Sequence, residues 1–379
     1  WDLTSNTHTA TLTGHTSWVN AIAVTELHGR PHAITTSNDG TVKVWDLTSN
    51  THTATLTGHN RAVNAVAVTE LHGRPHAITT SNDETMKVWD LTTNSPTTTL
   101  TGHTSRVTGI AVAELHGRPH AITTSNDETV KVWDLTTSTH HTTLTGHTNR
   151  VNAVAVTELH GRPHAITTSY DRTARVWDLT TSTHHTTLTG HTDWVRAVAV
   201  AELDGRPHAI TTSYDRTARV WDLTTSTHHT TLTGHTSWVR AVAVAELDGR
   251  PHAITTSWDN TARVWDLTTS THHTTLTGHT DWVNAVAVTE LHGRPHAITT
   301  SDDGTVKVWD LTTNTPTATL TGHTNSVNAV AVTELHGRPH AITTSNDGTV
   351  KVWDLTTNTP TATLTGHTNS VNAVAVTEL

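Results

Sequence analysis

An all-β fold, built from one small antiparallel sheet repeated along the chain, is predicted by three observations. The pair Trp-Asp followed by Leu-Thr returns every 44 residues, at Trp1, Trp45, Trp89, Trp133, Trp177, Trp221, Trp265, Trp309 and Trp353. Each unit holds four short segments rich in β-branched residues and separated by turn residues. No window keeps the i, i+3, i+4, i+7 apolar stripe of an amphipathic helix. A period of 40–45 residues with Gly-His and Trp-Asp marks is the signature of a propeller.

The first unit shows why each segment reads as a strand. VNAIAV at 19–24 is a short β-branched apolar run, suited to an inner strand. HAITT at 32–36 follows after LHGRP, whose Gly and Pro signal a hairpin turn. TVKVW at 41–45 follows SNDG, a second tight-turn signal. THTATLT at 51–57 alternates in character and is rich in threonine, which suits a solvated outer edge where a bare apolar strand would aggregate. Four strands of five to seven residues joined by short turns make one meander.

Cutting at each Gly-His gives eight full units over 14–365 in 44-residue steps. A fourth-type strand (1–13) and a first-type strand (366–379) are left over. The expectation is a single domain over 1–379 with eight blades and one surplus end displaced or added to an edge. Nine blades is the alternative, which leaves backbone groups unpaired in a blade without its middle strands.

Composition narrows the functional classes. The formal charge of −10 argues against coating nucleic acid or an anionic membrane. The absence of cysteine excludes disulfides, thiol catalysis and cysteine-based zinc sites, and fits a cytoplasmic setting. No apolar run approaches the length of a membrane span. The chain opens on Trp rather than Met, so targeting information can have been removed. Of the 33 histidines, the adjacent pairs such as His140 and His141 fall on separate repeats and point to opposite strand faces, so no metal site is expected. No phosphate-binding loop or dinucleotide fingerprint occurs, and no cofactor is expected.

The segments GHTSWVNAIAV and ITTSNDGTVKVWD carry a resemblance that covers the whole chain. With Gly14-His15, Asp39 and Trp45-Asp46 at matching spacings in every complete copy, the sequence resembles the WD-repeat family. The resemblance implies four-stranded antiparallel blades around a central channel, and a rigid interaction platform rather than an enzyme. It also implies a buried tetrad per blade, at His15, Thr35, Asp39 and Trp45, at His191, Thr211, Asp215 and Trp221, and at His235, Thr255, Asp259 and Trp265. Those residue types suit a relay: indole only donates, hydroxyl does both, and imidazole bridges to carboxylate. Which hydroxyl of Thr35, Thr36 and Ser37 takes part stays open. Hydroxyl, imidazole and carboxylate also describe a nucleophilic triad, but eight equivalent copies, each tied to a Trp, describe scaffolding.

The copies differ mainly at positions that a meander places at one end, the loop into the first strand and the turn between the second and third. Units 177–220 and 221–264 differ only by Asp193/Ser237, Tyr214/Trp258 and Arg216/Asn260. Four consecutive blades bring Arg150, Tyr170, Arg172, Trp194, Arg196, Tyr214, Arg216, Trp238, Arg240, Trp258 and Trp282 to that rim. Trp, Tyr and Arg dominate interface hot spots. The reading is a non-catalytic scaffold or sensor that binds a protein or peptide, an acidic one by the arginines, as a monomer or part of a larger multidomain chain. A repeat lectin with Trp pockets, and an engineered or excised scaffold without a ligand, are the alternatives.

Overall fold

The computed structural model describes residues 14–46, 49, 51–335, 338–364 and 370–371. Among them lie eight separate four-stranded antiparallel sheets and no helix, each sheet following chain order. In the first repeat the strands are Val19–Leu27, Arg30–Ser37, Val42–Asp46 and Thr51–Leu56. The first two run longer than the apolar pattern predicts because their hairpin needs only two turn residues. His28 and Gly29 both take positive φ, 53° and 71°, so Leu27 and Arg30 already pair across the turn. No described helix is long and apolar enough to cross a membrane.

The chain divides into two compact units, residues 100–278 and residues 1–99 with 279–379. In the 100–278 unit, four blades stack through repeating apolar interfaces. Leu159, Ile166, Val176 and Leu188 of one blade close on Ala209, Trp221 and Leu223 of the next. Leu203, Ile210, Val220 and Leu232 meet Ala253, Trp265 and Leu267 in the same way. Trp177, Trp221 and Trp265 are thus core, each buried against the preceding blade, and each burial contributes roughly 1.5–3 kcal/mol or more. The fourth strand Thr227–Leu232 is exposed at its first three residues and buries only Leu232, as an edge should.

In the other unit the same packing joins blade 283–320 to 327–364, and blade 19–56 to 63–101. Blade 19–56 also packs on blade 327–364: Val19, Ile22, Ala33 and Trp45 meet Ile342 and Val350. Val371 is fully buried at this seam. Its carbonyl accepts Asn328 Nδ2 at 2.6 Å, as Val63 O accepts Asn20 Nδ2 at 2.7 Å, and its N–H donates to Ser345 O at 2.8 Å. Val371 also bridges Val19 in parallel. Of the two expected surplus strands, 1–13 lies outside the described residues, as does 366–379 apart from residues 370–371.

Candidate functional site

Two constellations stand out, an internal one that recurs from blade to blade and a surface one in the 100–278 unit. The internal one links strands within a blade. Trp45 Nε1 donates to Thr35 Oγ1 at 2.8 Å, Thr35 Oγ1 meets His15 Nε2 at 2.8 Å, and His15 Nδ1 meets Asp39 Oδ2 at 2.8 Å. Thr36 and Ser37 bond instead to Ala21 O and Ser17 O, so Thr35 carries the relay. The same distances, 2.7 to 2.9 Å, connect Trp221, Thr211, His191 and Asp215, and Trp265, Thr255, His235 and Asp259.

The hydrogen positions follow from the partners. A carboxylate only accepts, so His191 Nδ1 carries the proton toward Asp215; the neutral ring then leaves Nε2 to accept from the Thr211 hydroxyl. That hydroxyl in turn accepts the Trp221 N–H. Burial alone would raise the Asp215 pKa, but hydrogen bonds from His191, the Thr217 hydroxyl and the Thr192 N–H hold it well below the usual carboxylate range. The Thr211 hydroxyl is locked between indole and imidazole inside the blade, while Asp215 borders a surface cavity.

The surface constellation lies on the turn end of the 100–278 unit. Backbone bonds from Tyr170 N to Arg150 O, Tyr214 N to Trp194 O and Trp258 N to Trp238 O, all at 3.0 Å, bind each second turn to the loop entering its blade. The side chains then reach between blades. Tyr170 stacks on Trp194 at 4.1 Å and 4°, and Tyr214 on Trp238 at 4.2 Å and 4°. Trp194 and Tyr214 lie 5.6 Å apart at 37°, and Trp238 and Trp258 4.7 Å apart at 32°. The result is one continuous ladder, Tyr170–Trp194–Tyr214–Trp238–Trp258. The Arg240 guanidinium caps its end, 5.3 Å from the Trp258 ring.

Arg172 and Arg216 take φ of 70° and 71° at the turn position that Gly40, Gly304 and Gly348 fill at 78–79° elsewhere. A left-handed arginine costs about 1 kcal/mol or more relative to glycine, a cost the fold does not require. Beside Arg216 a cavity of about 420 Å³ is lined by Thr192, Asp193, Tyr214, Asp215, Thr236, Ser237 and Trp238. Arg196 stands two residues after Trp194, where the preceding blade has Asn152 donating to Val195 O at 3.2 Å. Trp282 belongs to the other unit, where it is 41% exposed; Trp18, also there, is 39% exposed. Among the described residues no group of three or more His, Asp or Glu side chains could hold a metal ion.

The sequence places Trp238, Trp258 and Arg240 close together on one blade, but it does not pair aromatic residues across blades. Tyr170 faces Trp194 of the next repeat, and no local spacing states that angle. Sequence reasoning also passed over Arg106, which shares the position of Arg150 in the preceding blade; its N-terminal place beside the aromatic sector was the available signal.

Repeat by repeat the chain matches the family described as WD domain, G-beta repeat, over residues 6–46, 50–90, 94–134, 138–178, 182–222, 226–266, 270–310 and 314–354. The chain belongs to this WD40 family, whose fold is the β-propeller, here with eight four-stranded blades rather than nine. It is similar to the crystal structure of the computationally designed Ika8 protein, with a TM-score of 0.77 and 26% identity over 92% of this chain and 99% of that one. No curated protein shows significant similarity. Membership places the chain among propellers that act in general as non-catalytic binding scaffolds.

Proposed function

We propose that the turn end of the 100–278 unit recognises a protein or peptide partner, with Trp238, Trp258 and Arg240 as central anchors and Trp194, Arg196 and Tyr214 beside them. The ladder is the observation that carries this reading. Trp194 and Trp238 remain 41% and 37% exposed, which adds nothing to the core and lowers solubility, as interaction surfaces do. Rings that stack on one another present their electropositive edges to solvent rather than their π faces. With five further arginines on this end, at 106, 150, 172, 196 and 216, the surface favours an acidic ligand. The same stacking weighs against glycan pockets, because a sugar needs an open aromatic face. An engineered scaffold without a ligand is the second reading, favoured by near-identical repeats and by likeness to a designed protein.

The test is selection from a random peptide display library, followed by affinity measurement on variants. Each of Trp238→Ala and Trp258→Ala is expected to weaken selected peptides by about thirtyfold, the consequence of losing about 2 kcal/mol at a hot spot. Trp18→Ala is the control, since the turn of its own blade offers Asn38, bonded to Asn20 at 2.7 Å, in place of an aromatic ring. Equal losses from all three variants, or none from any, refute the site; failure to select any peptide supports the ligand-free reading.

A further inference from the structure

We infer that the ladder Tyr170–Trp194–Tyr214–Trp238–Trp258 is a radical relay. A diffusible one-electron oxidant that strikes an exposed indole on this face leaves its oxidising equivalent on a tyrosine, from which a hydrogen-atom donor removes it. The relay needs no bound partner and stands apart from the recognition site proposed above.

The composition of the chain decides where such an oxidant can react. There is no cysteine and a single methionine, Met86, which is 1% exposed and belongs to the other unit. With sulfur out of reach, indole and phenol are the side chains that give up an electron most readily. The repeat tryptophans Trp177, Trp221 and Trp265 are buried, and the rings around Trp221 are the histidines His191 at 6.4 Å and His228 at 5.2 Å. Trp194 and Trp238 are exposed, and both tyrosines of the chain, Tyr170 and Tyr214, lie in the ladder with them.

Electron exchange between aromatic rings falls steeply with the gap between them, and rings in contact exchange fastest. Every step of the ladder is a contact step. Tyr170 and Trp194 stack at 4.1 Å and Tyr214 and Trp238 at 4.2 Å, both at 4°, so their π systems overlap face to face. Trp194 also meets Tyr214 at 5.6 Å, so each exposed indole touches a phenol directly. The far end is closed electrostatically. The Arg240 guanidinium stands 5.3 Å from the Trp258 ring, and Trp258 Nε1 is buried, so an oxidised Trp258 would hold its positive charge beside a fixed one. The oxidising equivalent is driven toward the tyrosines.

The steps balance. The oxidant takes one electron from the indole of Trp194 or Trp238 and is reduced, leaving an indole cation radical. An electron then passes from the neighbouring phenol to the indole, which is restored, and the phenolic proton goes to water. The net transfer is one electron to the oxidant and one proton to solvent, leaving a neutral tyrosyl radical that the arginines of this end do not repel. A hydrogen-atom donor returns that radical to tyrosine, and the exposed indoles escape oxygenation.

The experiment is pulse radiolysis of the intact chain in neutral azide solution, where the azide radical takes an electron from an exposed indole and becomes azide ion. Transient absorption separates the indolyl from the phenoxyl radical. The indolyl signal is expected to decay as the phenoxyl signal grows, with one first-order rate independent of protein concentration. Because the chain has only two tyrosines, all phenoxyl signal reports on the ladder. Tyr170→Phe should keep the growth through Tyr214. Adding Trp194→Phe and Trp238→Phe to Tyr170→Phe should slow it by about tenfold or more, since both contact rings of Tyr214 are then unable to carry the charge. Trp18→Phe should leave the rate unchanged. Thermal melting and near-ultraviolet circular dichroism check that the variants fold, and the concentration series on the wild type needs no variant at all. The relay is overturned if the growth rate scales with protein concentration, if phenoxyl forms only within the pulse, or if the triple variant keeps the rate of Tyr170→Phe.

Discussion

Replacing Trp221 with Phe removes one donor from a relay in which each group is held by the next. In the folded protein Trp221 Nε1 gives its hydrogen to Thr211 Oγ1 at 2.8 Å, and the same hydroxyl faces His191 Nε2 at 2.9 Å. The other group near the hydroxyl, Arg219 O at 3.5 Å, only accepts and cannot replace the lost donor. Phenylalanine keeps an aromatic body in the slot but leaves Thr211 short of a donor, at about 1 kcal/mol for the lost bond. The indole's second ring leaves a gap beside Ala209 and Leu223, adding about 1 kcal/mol as a cavity. The sum of about 2 kcal/mol corresponds to a Tm lower by about 4–8 °C for a cooperative unit of 150–250 residues. Differential scanning calorimetry of the wild type and Trp221→Phe measures it. Thr211→Val sharpens the test, because it strands both the indole N–H and His191 Nε2 and should cost more than Trp221→Phe. A Tm unchanged within error, or a smaller loss from Thr211→Val, would refute the relay as a stabilising unit.

Further outcomes follow from the same geometry. Gly190→Ala should destabilise by about 1–3 kcal/mol, because φ is +147° and the new Cβ would lie 2.6 Å from Arg219 Nη1; chemical denaturation checks this. Stability should fall in two stages on acidification, followed by denaturant midpoints from pH 8 to 2. His208 and its counterparts His164 and His252 have pKa values lowered by burial, which outweighs the bond to the backbone carbonyl and the nearby Asp. Unfolded histidines therefore take up protons first, and stability declines as pH falls below about 6.5. The tetrad carboxylates, such as Asp83 at about 2, are held low, so their contribution is complete above the unfolded value near 4 and is lost as pH falls from there toward the folded one. A midpoint constant from pH 8 to 4 would contradict the first stage. Peptide binding at the ladder should weaken with salt if the arginines recognise an acidic ligand, and affinities at about 0.05 and 0.5 M salt decide it.

The sequence determined whatever depends on neighbours along the chain. A 44-residue period, turn residues at fixed offsets and alternating character specify eight meanders because strand pairing within a blade is local: Val195–Leu203 needs only the two residues at Asp204 and Gly205 before it meets Arg206–Ser213. The tetrad was legible for the same reason, as His191, Thr211, Asp215 and Trp221 all come from one blade or the loop that enters it. Even there, three adjacent hydroxyls looked equivalent until strand register turned Thr35 toward the indole and sent Thr36 and Ser37 to the other partners. What only tertiary structure decided lies between blades. The angle at which one sheet packs on the next is set by the interlocking of side chains such as Leu188 with Trp221, and no spacing in the sequence encodes it. That angle lays Tyr170 flat on Trp194 and Tyr214 on Trp238, turning a list of aromatic residues into one ladder.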